Sequence, residues 1–254
     1  MIKVYGDIML DRWIVGEANR MSPEAPVPVL LEDHQEWSIG GAGNLALNIQ
    51  SLGTEVTLIS VVGHDKEGYK LLELLQDTGV ECAVGGDLET TTTKTRLVAK
   101  GGQHIVRWDR EIEYTGDQSI DRLSSHVKKD DIICISDYAK GTVRRDTVAN
   151  LLEKEVKILV DPKQDANFYY GAYLVKPNMQ EYEAWFGKWN KTEALRQMQR
   201  FNWTWLVVTD GANGMHVLNI LDEYQHFKEE VKEVADVTGA GDTVMAVIAY
   251  GIDK

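Results

Sequence analysis

The chain has 254 residues, of which 43% are hydrophobic and 26% are charged. It can therefore bury a core as one large domain, and we expect residues 1–254 to form one. Its formal net charge is −13, which disfavours nucleic acid as a partner and means that any phosphate site must be built from local groups. No apolar run is long enough for a membrane span and no signal peptide is visible, so we expect a cytoplasmic protein without a membrane partner.

The first predicted element is a short strand over residues 2–5, which runs into Gly-Asp-Ile-Met-Leu-Asp at residues 6–11. Asp7 and Asp11 place two carboxylates four residues apart after this strand. Carboxylates are suitable partners for sugar hydroxyls, although each aspartate taken singly is more typical of an ordinary polar residue at a strand end.

A glycine-rich segment, Gly-Gly-Ala-Gly-Asn at residues 40–44, precedes a predicted helix over residues 45–52 that ends at Gly53. Such a segment allows a polar ligand to approach the backbone closely. Gly41, Gly43 and Ala46 also match the dinucleotide pattern G-x-G-x-x-A. The preceding residues 33–38 are polar and broken, not the hydrophobic strand that this pattern requires, which disfavours a dehydrogenase.

Apolar runs then alternate with helical patterns, which predicts an α/β fold with a mostly parallel sheet covered by helices. The predicted strands cover residues 56–62, 131–136 and 156–160, and the predicted helices cover residues 69–76 and 143–153. Carboxylates follow the apolar runs and should line one edge of the sheet. They are Asp65, Asp137, Asp161 and Asp210. Two β-hairpins are predicted, one over residues 90–108 and an edge hairpin over residues 215–228.

The most informative motif is Asp-Val-Thr-Gly-Ala-Gly-Asp at residues 236–242, followed by an apolar helical stretch. Small residues at a helix N-terminus let backbone N–H groups face an anion, and the helix dipole adds favourable charge. Asp242 would lie in the first turn, where it could take a proton from an attacking hydroxyl. Alone, the motif could equally be an acidic helix cap after a glycine turn.

Neither a P-loop nor the sequence elements of a protein kinase are present, so a phosphate site in this chain must have another design. The glycine-rich segment at residues 40–44 and the Gly-Ala-Gly-Asp motif at residues 239–242 together resemble the two signatures of the ribokinase-like (PfkB) sugar kinases. This resemblance implies a three-layer α/β fold with a mostly parallel central sheet flanked by helices, and a small β lid that corresponds to the hairpin at residues 90–110. It also implies transfer of the terminal phosphate of ATP to a sugar.

A closer resemblance is to the kinase domain of the enzymes of ADP-heptose synthesis. It is carried by residues 6–13 and 20–29, and by the segments Ser-Asp-Tyr-Ala-Lys-Gly at 136–141 and Asp-Pro-Lys at 161–163. This implies D-glycero-D-manno-heptose 7-phosphate as the acceptor and its 1,7-bisphosphate as the product, a step towards lipopolysaccharide precursors.

The family resemblance also implies a role for each matching residue. Asp242 would be the catalytic base, and the anion hole would be formed by Gly239, Ala240 and Gly241. The sugar would be held by Asp7, Asp11, Gly40, Gly41, Asn44, Arg96 and Asp137. The nucleotide would be held by Lys163, Asn178, Glu181, Thr209, Gly211 and Gly214. Asn178 and Glu181 would act on Mg²⁺ indirectly, through phosphate or water. Lys94 and Arg107 are further candidates to neutralise phosphates, and the lid could pair two subunits into a homodimer.

The family usually continues past the base-bearing helix, whereas this chain ends at Lys254, so the resemblance implies a shortened C-terminus. The alternative hypothesis is therefore a catalytically weak or inactive truncated homologue that acts as a sugar-binding module. The presence of Asp242 beside the anion-hole glycines argues against it, because a binding module has no chemical need for a base.

Overall fold

The computed structural model describes residues 1–116, 122–123, 125–228 and 239–254. Among these residues, nine strands form one large sheet. They are β1 (Ile2–Gly6), β4 (Val56–Gly63), β5 (Glu81–Leu88), β8 (Ile132–Ser136), β9 (Lys157–Asp161), β10 (Leu174–Val175), β11 (Trp205–Thr209), β12 (Met215–Asn219) and β13 (Tyr224–Phe227). Their order is β13-β12-β11-β10-β9-β8-β1-β4-β5. The sheet is parallel except for β12 and β13, which form the predicted edge hairpin.

Four further strands form a second sheet, which we call the lid sheet. They are β2 (Ile8–Met21), β3 (Pro28–Gly41), β6 (Thr93–Ala99) and β7 (His104–Arg110), in the order β3-β2-β6-β7. The predicted hairpin at residues 90–108 supplies β6 and β7, so the lid sheet is twice as large as the sequence suggested. The expectation that residues 33–38 are broken was wrong, because they lie in β3 and pair with β2. Their polar side chains are compatible with a strand that is largely exposed.

Six helices flank the large sheet within the described residues. They are α1 (Ala42–Ser51), α2 (Lys66–Gln76), α3 (Arg145–Leu152), α4 (Met179–Phe186), α5 (Lys191–Phe201) and α6 (Ala240–Asp253). Two short 3₁₀ turns lie at Ala166–Tyr169 and Gly211–Asn213. The predicted α/β class and the helices predicted after β3, β4 and β8 are confirmed. None of the helices in the described ranges is both long and apolar enough to cross a bilayer.

The core is divided into two clusters, one on each face of the large sheet. On one face, Ala46 of α1, Leu71 of α2 and Met245 of α6 are buried together. On the other face, Val148 of α3 and Met198 of α5 are buried together. Side chains of a strand alternate between the two faces, and this explains why the central strands are apolar along their whole length. The three layers bring the ends of β1, β8, β9 and β10 to one edge, beneath the lid sheet.

Tryptophan burial provides a test of this arrangement. Trp203 is 1% exposed, and its indole donates a hydrogen bond of 2.9 Å to the carbonyl of Tyr169. Trp203→Ala should lower the free energy of unfolding by about 3–5 kcal/mol, because it leaves a large cavity. Trp108 on β7 is 61% exposed, and Trp108→Ala should change the free energy by no more than about 0.5 kcal/mol. Urea denaturation followed by circular dichroism measures both, and equal losses would contradict the packing.

Candidate active site

The N-terminus of α6 is the centre of the candidate site. Gly239 precedes the helix with φ +79°, in the left-handed region that favours glycine, and Asp242 is buried in the first turn. The first N–H groups of a helix have no partner within the helix, and those of α6 point towards its N-terminal end, where an anion can be bound. Residues 236–238, the beginning of the predicted motif, lie outside the described residues.

Asp242 is held by a residue from the glycine-rich segment. The side-chain amide of Asn44, in the first turn of α1, donates a hydrogen bond of 2.6 Å to Oδ2 of Asp242. A Cβ atom on Gly239 would lie 2.8 Å from the same amide nitrogen, so a larger residue at this position would push Asn44 away. The two sequence signatures therefore meet in space through one hydrogen bond.

The pKa of Asp242 is raised to about 6. Burial is the main cause, because it penalises the charged form. The nearby carboxylate of Asp161 raises the pKa further, whereas the hydrogen bond from Asn44 and the charge of Lys176 lower it. A carboxyl group that is ionised at neutral pH and binds a proton near pH 6 is well suited to act as a general base.

Asp11 lies where the lid sheet joins the large sheet, and it is paired with Arg96. Nη1 of Arg96 is 2.6 Å from Oδ1 of Asp11, and both side chains are nearly buried. Gly40 lies beside this pair, because a Cβ atom there would be only 2.3 Å from Oδ2 of Asp11. Gly41 is the N-cap of α1. The predicted sugar-side residues Asp11, Gly40 and Arg96 are thus brought together.

Asp7 is occupied by backbone groups. Its Oδ2 accepts hydrogen bonds from the N–H groups of Tyr138 and Lys140, at 2.8 and 3.1 Å, and its Oδ1 accepts one from the N–H of Thr142 at 3.1 Å. The carboxylate therefore fixes the loop after β8. This arrangement gives Asp7 a structural task at the predicted sugar site.

Asp137 is held in a similar way. Its Oδ2 accepts a hydrogen bond of 2.6 Å from the hydroxyl of Tyr169, which itself accepts hydrogen bonds of 2.8 Å from the N–H groups of Lys163 and Gln164. Burial is the main reason that the pKa of Asp137 is raised to about 6, and the carboxylates of Asp7 and Asp161 raise it further. Asp137 and Tyr169 thus fix the Asp-Pro-Lys segment after β9.

Two further cations lie on the face of the lid sheet that carries Asp11, because Asp11 pairs with Lys94, and Arg96 pairs with Arg107. The ammonium of Lys94 lies 5.4 Å from the centre of the Tyr138 ring. Burial lowers the pKa of Lys94, and the carboxylates of Asp11 and Asp109 partly oppose this effect. Arg107 is exposed and pairs with Asp109 at 3.0 Å.

The predicted nucleotide side begins with Asn178 and Glu181, which form a capping box on α4. Oδ1 of Asn178 accepts from the N–H of Glu181, and Oε2 of Glu181 accepts from the N–H of Asn178, both at 2.9 Å. The other oxygen of Glu181, Oε1, lies 3.2 Å from Nζ of Lys163. The three residues are therefore adjacent, and Lys163 is half exposed towards solvent.

Thr209 ends β11 beside this group, because it forms a parallel bridge with Asn178 and its N–H donates to the carbonyl of Pro177 at 3.1 Å. Gly211 and Gly214 belong to the tight turn between β11 and β12. A Cβ atom on Gly214, whose φ is +90°, would lie 1.9 Å from the carbonyl oxygen of Phe227. The predicted nucleotide residues therefore lie together at the ends of β10 and β11.

Magnesium and ATP fit these residues in different ways. The described ranges contain no group of three or more His, Cys, Asp or Glu side chains that could hold a metal ion. Mg²⁺ commonly keeps several waters and is bound through substrate phosphates, so an indirect site near Glu181 suits the donors present. The N–H groups of α6 and the ammonium of Lys163 suit the phosphates of ATP.

The structure adds residues that the motifs did not single out. Lys176, Tyr138 and Tyr169 each contact or adjoin a predicted site residue. Lys176 could have been found from its position directly after a strand on the nucleotide side, whereas the two tyrosines carried no separate signal. Among the carboxylates expected at the edge, Asp65 caps α2 and pairs with Arg110 at 3.0 Å, so it connects the lid sheet to α2.

Comparisons with known proteins agree with this geometry. The family model described as pfkB family carbohydrate kinase matches residues 1–254. The bifunctional protein HldE of a Nitratiruptor species is 38% identical over 267 residues, which cover 100% of this chain and 57% of that protein. HldE of Haemophilus influenzae (strain PittEE) is 39% identical, with 99% of this chain and 55% of that protein covered. The chain therefore spans little more than half the length of these relatives.

Solved structures support the fold. Phosphofructokinase-2 from Escherichia coli in complex with fructose-6-phosphate superposes with a TM-score of 0.80 at 19% identity, covering 99% of this chain and 86% of that one. The same enzyme with substrates and products gives a TM-score of 0.81 at 17% identity, with 100% and 86% covered. The expected ribokinase-like fold is confirmed. Because the family model matches the whole sequence, the chain belongs to the pfkB family of carbohydrate kinases.

Proposed function

We propose that this chain transfers the γ-phosphate of ATP to a hydroxyl of a sugar phosphate, and that the acceptor is D-glycero-D-manno-heptose 7-phosphate, giving the 1,7-bisphosphate. The observation that carries this proposal is the buried carboxylate of Asp242 at the N-terminus of α6, held by Asn44 at 2.6 Å. A base and backbone N–H groups at the N-terminus of a helix, together in one helical turn, suit phosphoryl transfer to a hydroxyl.

In this reaction Asp242 accepts the proton of the attacking hydroxyl at a carboxylate oxygen, while Asn44 fixes the orientation of the group. The N–H groups at the start of α6 stabilise negative charge on the phosphoryl group, because the helix dipole and the hydrogen-bond donors point the same way. Magnesium, when bound with ATP, supplies further neutralisation of phosphate charge. Lys163, paired with Glu181 at 3.2 Å, supplies a cation on the nucleotide side.

The lid sheet holds the acceptor in this proposal. Asp11 and Arg96 meet the sugar hydroxyls, and Lys94 and Arg107 meet the phosphate that the substrate already carries. Three cations on one face matter in a chain of net charge −13, because long-range charge would otherwise repel a sugar phosphate. Asp7 and Asp137 contribute by fixing the loops around the sugar, as their hydrogen bonds to backbone and Tyr169 indicate.

The choice of a heptose phosphate rests on the similarity to HldE proteins across 99–100% of this chain. The E. coli phosphofructokinase-2 structure, which has the same fold, contains fructose-6-phosphate, so a phosphorylated acceptor suits this architecture. The cytoplasm is the expected location of the reaction. The homodimer through the lid stays a prediction, for which the exposed Val106 and Trp108 on the edge strand β7 are the natural contact residues.

The first test is a substrate panel. Purified chain with magnesium-ATP should release ADP in the presence of heptose 7-phosphate, and less with fructose 6-phosphate or ribose. Asp242→Asn should lower the rate by at least about 100-fold, because general-base catalysis contributes on this order. The matched control is Asp222→Asn, in the edge hairpin, where the aspartate is exposed and paired with the surface residue Lys191. Sugar binding without turnover would instead support the sugar-binding module.

The second test is the pH dependence of kcat/KM. The base must be ionised, so activity should fall as the pH drops through about 6, the raised pKa of Asp242, and not near 4 as for an ordinary aspartate. Asn44→Ala should move this fall to higher pH, because the hydrogen bond that stabilises the ionised form is lost. An acid limb near pH 4 in the wild type, or an unchanged limb in the variant, would contradict the assignment.

The third test concerns the phosphate of the acceptor. Lys94→Met should raise the KM for the sugar phosphate roughly 10- to 100-fold, the effect of losing a charge-assisted hydrogen bond. The KM for an unphosphorylated sugar should be unaffected. The control is Lys100→Met at the turn of the same hairpin, where the lysine is half exposed and pairs with Glu17 at 3.3 Å. An equal rise in KM for the phosphorylated and the unphosphorylated sugar would show that Lys94 does not bind the phosphate of the acceptor.

A further inference from the structure

An ion pair between a buried lysine and a partly buried aspartate lies against the first turn of α6, beside the candidate base. Asp161 is the last residue of β9 and Lys176 follows β10, and the two strands are parallel with Val160 opposite Val175. The next residues, Asp161 and Lys176, are therefore neighbours across the strands. Nζ of Lys176 is 2.9 Å from Oδ2 of Asp161.

The pair faces α6. Leu159 and Leu174, two residues earlier on each strand, belong to the core cluster that contains Met245 of α6. Because side chains alternate along a strand, Asp161 and Lys176 point to the same face.

The contact with α6 is close. A Cβ atom on Gly241 would lie 3.3 Å from Nζ of Lys176 and 3.7 Å from Oδ2 of Asp161. The absence of a side chain at Gly241 thus allows the pair to lie against the first turn of the helix, one residue from Asp242. Lys176 is only 2% exposed, so its ammonium acts from beneath the helix and not as a surface ligand.

Negative charge is concentrated around this lysine. Asp7, Asp137 and Asp242 are buried, and Asp161 is partly buried. The groups that act on Asp242 come from four elements: Asn44 of α1, Tyr138 after β8, Asp161 of β9 and Lys176 after β10. Burial raises the pKa of the Tyr138 hydroxyl, and the carboxylates around it, including Asp11 and Asp7, raise this pKa further. The ammonium of Lys94 lies over the ring of Tyr138. Lys176 is therefore a cation that acts on Asp161 and Asp242 from the sheet side.

We propose that the Asp161–Lys176 pair is a positioning device for the base: the ammonium of Lys176 stabilises the carboxylate form of Asp242 through the first turn of α6, and Asp161 limits that effect. This inference rests on the proposed role of Asp242. Asp161 limits this effect because its own negative charge acts on Asp242 in the opposite direction and raises the pKa of that carboxyl group. Because the two charges oppose each other, Asp242 is ionised at neutral pH and still binds a proton near pH 6.

The test uses the ligand-free chain. Aspartate carboxyl carbons are labelled with ¹³C, the Asp242 signal is assigned by its loss in Asp242→Asn, and its titration midpoint is measured by NMR. Lys176→Met should raise the midpoint, and Asp161→Asn should lower it, each by roughly half a pH unit or more, as expected for loss of a nearby charge. The double variant, without either charge, should fall between the two. Lys176→Arg, which keeps the charge, should stay near the wild type.

The same four variants are then compared in the pH profile of kcat/KM, whose acid limb should move in the same directions. If the pair had only a structural role, both single variants would lower stability, but they would not move the titration midpoint of Asp242 in opposite directions. Shifts in the same direction, or none in folded Lys176→Met or Asp161→Asn, would overturn the proposal. Because the NMR midpoints need no substrate, they are independent of whether the chain turns over any sugar.

Discussion

The hydrogen bond between Asn44 and Asp242 joins two residues that are 198 positions apart in the chain, and the rest of the site depends on it. It can form only if α1 and α6 lie side by side on one face of the large sheet, which requires the whole order of strands between them. The buried cluster of Ala46 and Met245 supplies that packing. The stability of the core and the geometry of the base are therefore one constraint: a change that separates these helices would also release Asp242.

A second constraint is the crowding of carboxylates at the edge of the sheet. Parallel strands all end at this edge, so residues that follow them meet there. The structure satisfies each carboxylate differently: Asp7 binds backbone N–H groups, Asp137 binds Tyr169, Asp11 binds Arg96, and Asp161 binds Lys176. Asp242 is buried with the neutral side-chain amide of Asn44 as a partner, and burial raises its pKa to about 6, as it also does for Asp137.

Much of the fold could be predicted from sequence because apolar runs and helical patterns are local signals. The signature at residues 239–242, taken together with the glycine-rich segment at residues 40–44, pointed to Asp242 as the candidate base. The extent of the lid sheet was not predictable in the same way: residues 33–38 are polar and form a strand only because β2 pairs with them. Likewise, the motif alone assigned Asp7 to the sugar, whereas its bonds to the loop after β8 depend on which backbone groups the fold brings near it.

The Asn178–Glu181 motif has a structural role that is compatible with the chemical role proposed for it. Its capping box uses the amide of Asn178 and one oxygen of Glu181 to close the first turn of α4. The second oxygen of Glu181 remains on the side of Lys163. A rigid cap fixes that oxygen without the loss of side-chain entropy that a free glutamate would undergo on ordering. In the proposed function the same principle applies at α6, because the turn that begins the helix also forms the proposed anion site, and its N–H groups are oriented before any substrate binds.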